Sequence, residues 1–302
     1  MKERQVILPI HRRPNPFTTL IRAACGISTN FNMDTNTPTI KAVWDNAEIN
    51  PAHLNRYGEI CGLPFYSKFL FGAPIERQFV YPLYPLTLVF PLLMRVLGHK
   101  KAPLTVFRTL NTKLEVTAHR RIGVHEPLRV SSETASLRVV PKGLEYDIHS
   151  VVESKNETVW ESIHTFYYRG NFGKTENTSA NQTAISAISA PDLLSSWHLG
   201  DGIGFRFGLI SGDTNGIHYN AWYARRLGFD RDLAQPILVL TKCLDSLLDG
   251  DPPAFRLTAL LKGPVYYHNN VYLRGTVGVD GKRFDVYCED NPKPSLCCEL
   301  TY

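Results

Sequence analysis

The sequence predicts an α+β chain made of two like halves, each a long buried helix wrapped by antiparallel strands, with one continuous sheet shared between them. Three observations carry this. An apolar stretch that starts on proline and ends on glycine occurs twice, as "PLTLVFPLLMRVLG" at Pro85–Gly98 and "PILVLTKCLDSLLDG" at Pro236–Gly250. Each stretch is followed by four runs that alternate apolar and polar residues and are rich in Val, Ile, Thr and aromatics, the mark of half-buried strands. Between the halves lies "NFGKTENTSANQTAISAISAP", polar, small and almost free of large apolar groups.

In chain order, residues 1–40 form an extension with no assigned role, in which "PFTTLIRAACG" at 16–26 reads as a short helix. The first half covers 41–170. Asn50 and Pro51 open a helix to Ile60, with asparagine as N-cap and proline at the first helical position. The long helix follows from Pro85, apolar nearly all round and so buried. The strands are "KLEVTAH", "PLRVSSETASLRVV", "GLEYDIHSVVES" and "TVWESIHTFYYRG". Residues 171–191 form the linker. The second half, 192–302, repeats the order: a short helix in "NAWYARRLG", the long helix from Pro236, then "AFRLTALLK", "NVYLRGTVGV", "RFDVYCED" and "SLCCELTY". Local wording recurs too, with "LEVTAH" at 114–119 against "FRLTAL" at 255–260.

Composition sets the outer bounds. With 302 residues, 43% hydrophobic and 20% charged, the chain can bury a sizeable core. No apolar run reaches the ~20 residues of a membrane span, and the opening "MKERQVILPIHRRPNPF" lacks a sustained apolar core, so the chain is expected in the cytoplasm. The net charge of +5 is spread over short clusters, which argues against a nucleic-acid partner and suits an anionic small ligand. Six cysteines show neither C-x-x-C pairs nor zinc spacing, and they read as reduced, mostly buried thiols with no metal expected.

The chemistry concentrates in "FGLISGDTNGIHYNAWYARRLGF", Phe207–Phe229. Ser211, Gly212, Asp213, Asn215 and His218 fall within eight positions, and Gly212 and Gly216 permit tight turns. A carboxylate beside an imidazole can orient the ring and raise its basicity, or hold one water between the two groups. Asparagine pins loops through bonds to backbone. Asp213 and Asn215 as simple helix caps, with His218 a satisfied core residue, fit the same three residues.

The longer pattern Gly-Asp-x-Asn-x-(Ile/Leu/Val)-His, running from Phe207 through Ala224, resembles the signature of the MaoC-like, or hydratase-2, family of (R)-specific enoyl-thioester hydratases and dehydratases. Gly216 stands where that family usually has proline. The resemblance implies a double hotdog, with a degenerate first hotdog at 41–170 and the active one at 192–302. It implies that Asp213 and His218 are the catalytic pair, facing each other across one water, with Asn215, Ser211 and Gly212 shaping the loop. The substrate would be an acyl thioester of coenzyme A or phosphopantetheine, with no other cofactor, and an acyl carrier protein and a homodimer are the partners it allows. In the family a backbone N–H, usually glycine's after a histidine, polarises the thioester carbonyl. Those positions here are Gln235 and Pro236, and proline has no N–H. The next helix-start amides, Ile237 and Leu238, are expected to take its place. Phe69, Phe71, Leu86 and Phe90 are candidates for an acyl-tunnel wall. A first-half echo, Glu48, Asn50 and His53, keeps the spacing of Asp213, Asn215 and His218 and reads as a helix cap rather than a second site. A hotdog thioesterase and a non-catalytic acyl-binding hotdog are the alternative readings.

Overall fold

The computed structural model describes residues 5–15, 38–63, 69–70, 73–74, 78–104, 106, 109–173, 185–248, 252–278, 281–289 and 291–302. The expected helix at 16–26, Cys25, most of the linker, Phe71 and the Phe69 side chain lie outside the described residues.

Strand β1 (Gln5–Pro9) runs parallel to β2 (Thr39–Ala47). Helix α1 (Pro51–Cys61) starts where the Asn50 side chain accepts the amides of Ala52 and His53, at 2.9 and 3.2 Å, and stops at left-handed Gly62. After the short pair β3 (Phe69–Leu70) and β4 (Ala73–Pro74) comes the long helix α2 (Leu86–Leu97), then β5 (Thr109–Ala118), β6 (Leu128–Val140), β7 (Gly143–Ser154) and β8 (Glu157–Arg169). The second half runs β9 (Asp192–Leu199), α3 (Ile203–Ser211), a 3-10 turn (Gly216–His218), α4 (Ala221–Arg226) and the long helix α5 (Pro236–Leu247). It closes with β10 (Phe255–Leu261), β11 (Asn269–Val277), β12 (Lys282–Cys288) and β13 (Leu296–Thr301).

Eleven strands form one sheet in the order β1-β2-β6-β7-β8-β5-β10-β13-β12-β11-β9, antiparallel throughout except for β1 on β2. Apart from β1 the order reads the same from either end once the halves are matched element by element. The seam is the antiparallel pair β5–β10, with Val116 opposite Leu257 and the flanking pairs Ala118–Phe255 and Leu114–Ala259 placed evenly about it. The recurring "LEVTA" and "FRLTA" therefore lie across the seam as partners, and the approximate two-fold axis passes through Val116 and Leu257.

The long helices fill the hollow of the sheet, with Leu88, Val89, Leu92 and Val96 of α2 and Leu238, Val239, Leu240 and Cys243 of α5 all buried. Each short helix leans on the long helix of the other half, α3 on α2 and α1 on α5. Tyr57 and Thr241 share a buried hydrogen bond of 2.6 Å across the second of these contacts. The described end of the linker is docked on the second half: Ile185 is buried, its carbonyl accepts from Lys262 at 2.7 Å, and the Ile188 amide donates to Asp285 at 2.8 Å.

Strands β1, β2 and β9 and helix α3 were not anticipated. Helix α3 escapes propensity reasoning because Gly204 and Gly208 interrupt "GFRFGLIS", and glycine costs a helix about 1 kcal/mol per residue. Cys61, Cys243, Cys288, Cys297 and Cys298 are free and buried, as expected.

Candidate active site

The motif sits in the turn that follows α3. Gly212 ends that helix at φ 90, a left-handed conformation that favours glycine, and a Cβ there would lie 2.8 Å from Pro91 of α2. Local side chains then fold the chain back on itself. The Asp213 amide donates to the Ser211 hydroxyl at 3.2 Å, the Asn215 amide to Asp213 Oδ1 at 3.3 Å, and the Ile217 amide to the Asn215 side chain at 3.3 Å. Such short-range side-chain acceptors replace the helical ladder. They leave the second carboxylate oxygen of Asp213 free for the imidazole that the 3-10 turn delivers.

That oxygen lies 3.1 Å from His218 Nε2. The other ring nitrogen, Nδ1, is 2.7 Å from the Leu233 carbonyl and must donate to it, which fixes Nε2 as the nitrogen facing Asp213. The backbone of the turn is pressed onto α3, where a Cβ on Gly204 would come within 1.8 Å of the His218 carbonyl. Burial works to lower the His218 pKa, but the Asp213 carboxylate facing it outweighs that, helped by the Leu233 carbonyl, and the net shift is upward. The expectation of a pair separated by one water is corrected here: the two side chains are in direct contact. With both largely removed from solvent, attraction is strongest at the shortest range.

The pair lines a cavity of about 160 Å³. Other second-half residues, among them Asn215, Ile217, Leu233, Pro236 and Ile237, line it too. The rest of the wall comes from the first half: Phe90, Met94 and Leu97 on α2, Leu110, Asn111 and Leu114 on β5, Phe166 on β8, and Val106. Of the tunnel candidates, Phe90 lines it. Leu86 does not; it is fully buried in the core.

Pro236 is the first residue of α5 and Gln235 its N-cap, as counted from the motif. The Leu238 amide donates to the Gln235 carbonyl at 3.0 Å, so the expectation that this amide is free is corrected; a tight first turn consumes it. The Ile237 amide has no partner among the described residues and belongs to the cavity wall. Gln235 was seen in the sequence only as a substituted position. Its buried amide holds the site together, donating to the carbonyls of Gly204 at 2.9 Å and Asp213 at 3.5 Å and accepting from the Tyr267 hydroxyl at 3.1 Å. A glutamine just before a helix-starting proline carries no signal of that role.

The first-half echo is not assembled. Glu48 and Asn50 are exposed, and Asn50 is engaged as the α1 cap. His53 turns instead toward Tyr84 and the Ile210 carbonyl, at 2.9 and 3.0 Å.

A protein of Mycobacterium tuberculosis named 3-hydroxyacyl-thioester dehydratase X is 22% identical over 253 residues, spanning 84% of this chain and 86% of that protein. The crystal structure of HtdX from the same organism superposes with a TM-score of 0.71 at 20% identity, over 86% of this chain and 98% of that one. A second M. tuberculosis protein, described as having a double hotdog fold, superposes at 0.54 and 13% identity over 86% of this chain and 94% of its own. This chain is a double hotdog. A MaoC-like dehydratase from Phytophthora capsici also superposes on it, with a TM-score of 0.68 at 17% identity, over 91% of this chain and 99% of that one. No protein-family model matches the chain. The double hotdog accounts for the placement of the cavity, since crossing each short helix onto the other half's long helix sets the Asp213 turn against α2, so that both halves line it.

Proposed function

We propose that this double hotdog is a MaoC-like hydro-lyase that adds water to, or removes it from, the α,β bond of an acyl thioester. The observation that carries the reading is the Asp213–His218 contact in the wall of a largely apolar cavity that Ile237, with its free amide, also lines. The curated relative's name, 3-hydroxyacyl-thioester dehydratase, supports the same reaction class.

In the hydration direction the thioester enters with its acyl chain along α2 and β5. Its carbonyl oxygen accepts from the Ile237 amide, where the positive end of the α5 dipole favours developing enolate charge. Asp213 takes a proton from water as the hydroxyl adds to the β-carbon. His218, held protonated by its partner, gives a proton to the α-carbon. The product is the 3-hydroxyacyl thioester, and dehydration retraces these steps. The acyl group is carried on coenzyme A or phosphopantetheine, and the thioester itself acidifies the α-carbon, so the steps call on no further cofactor. Addition to one face of the double bond gives a single enantiomer, and the resemblance to (R)-specific hydratases makes the (R)-alcohol the expected one.

Crotonyl-CoA followed by chiral separation of the product tests this. (R)-3-hydroxybutyryl-CoA is the expected outcome. The (S)-alcohol would overturn the stereochemistry, and free thiol in place of alcohol would move the site to thioester hydrolysis.

A further inference from the structure

Arg13 reaches from the leading segment to the place where α3 of the second half meets α2 of the first. The chain is guided there by β1 and by the Ile10 amide, which donates to the Val43 carbonyl at 2.7 Å. One guanidinium nitrogen donates to two backbone carbonyls, Ile210 at 2.6 Å and Thr87 at 3.1 Å.

Both carbonyls lack their ordinary helical partner. Ile210 is in the last turn of α3, where helical carbonyls have no amide ahead of them. Thr87 is four residues before Pro91, and proline has no N–H to return to it. The Pro91 ring also packs where a Cβ on Gly212 would fall. One proline thus opens an acceptor in α2 and shapes the surface on which the turn rests. His53 completes the arrangement. Its Nε2, 3.0 Å from the Ile210 carbonyl, must donate, and its Nδ1 accepts from the Tyr84 hydroxyl at 2.9 Å. This requires a neutral ring, and burial beside the Arg13 charge pushes the His53 pKa down to about 4. A positive group at the C-terminus of α3 also complements the helix dipole.

We propose that Arg13, with His53, is a positioning residue that staples the end of α3 to α2 and so fixes the Ser211–Gly212–Asp213 turn against His218. Only Ser211 and Gly212 separate the gripped carbonyl of Ile210 from Asp213, and Gly212 lies close against the Pro91 ring. The leading segment and the first-half histidine thereby act on the second half's site without touching substrate. The catalytic consequence rests on the hydro-lyase reading; the geometric one does not.

The test uses the full chain with Arg13→Ala, Arg13→Lys and His53→Gln. Three quantities are read: kcat and KM for crotonyl-CoA, the melting temperature, and the His218 titration by NMR. Small misplacement of a catalytic group costs up to ~100-fold, so Arg13→Ala is expected to lower kcat by about 10- to 100-fold with KM little changed. The His218 titration moves down toward an ordinary histidine as Asp213 swings away. Arg13→Lys, which keeps the charge and can meet one carbonyl, and His53→Gln, which keeps a donor, fall between; they carry the test where Arg13→Ala does not fold. Wild-type kcat in these variants, or a kcat that falls only with melting temperature while the His218 titration stays put, would overturn the staple. Wild-type protein without hydration would remove the hydro-lyase reading, and the His218 titration would still decide the staple.

Discussion

Helices α1 and α3 end on the same pattern, Gly-Glu-Ile-Cys-Gly at 58–62 and Gly-Leu-Ile-Ser-Gly at 208–212, and each final glycine is left-handed. The next residue is Leu63 in the first half and Asp213 in the second. Leu63 is buried among apolar neighbours, whereas Asp213 opens onto the cavity. The long helices differ in the same manner. At matching places, six residues beyond Pro85 and Pro236, Pro91 packs against the Gly212 turn, while Lys242 donates to the Cys61 carbonyl at 2.9 Å. One fold, used twice, places a carboxylate in contact with an imidazole at one turn and a buried leucine at the other. The halves remain interdependent, because the first supplies much of the cavity's apolar wall and the second the Asp213–His218 pair.

The largest effect that can break this comparison is at the pair itself. Asp213→Asn or His218→Ala is expected to lower enoyl-thioester hydration by about 100-fold or more, since positioned proton transfer contributes ~10²–10⁴, with the circular dichroism spectrum retained. Filling the wall comes next. Leu114→Trp, on the first half's β5, narrows the cavity and is expected to reduce turnover of long enoyl chains by about 10-fold or more relative to crotonyl-CoA. Equal loss at every chain length would place the acyl chain elsewhere.

The two histidines sharpen the comparison through pH. His218 has a raised folded pKa, so its contribution to stability is fully present below the unfolded value of ~6.5 and is lost as pH rises through the folded one. His53 has the opposite sign. Its folded pKa is about 4, so stability is lost as pH falls from the unfolded value toward that point. Urea unfolding across pH is expected to show an acid decline flattened by His53→Gln and an alkaline decline flattened by His218→Gln. The smallest effect belongs to Glu48, which is exposed: Glu48→Gln is expected to leave turnover within ~2-fold, as surface changes away from a site usually do.

The halves were legible because a proline stands at the start of each long helix and several strands, β7 most clearly, alternate buried and part-exposed residues. The motif was legible because Asp213, Asn215 and His218 bond mainly within their own turn, so spacing alone brings them together. The echo Glu48, Asn50 and His53 copies that spacing at the start of a helix, where Asn50 is the N-cap as expected, whereas the Asp213 turn follows the end of one. The true counterpart escaped notice because Leu63 carries no polar group. Arg13 and Gln235 act over sequence separations that no local pattern reports. The edge strands β1 and β9 are largely exposed, which weakens the alternation that reveals a strand.

The most direct test of a hydro-lyase site built on Asp213 and His218 is the initial rate of enoyl absorbance loss from crotonyl-CoA, wild type beside Asp213→Asn. The expected result is steady hydration by the wild type and a rate reduced about 100-fold or more in the variant. Equal rates in the two proteins, or a wild type that binds crotonyl-CoA and leaves it unchanged, would contradict it.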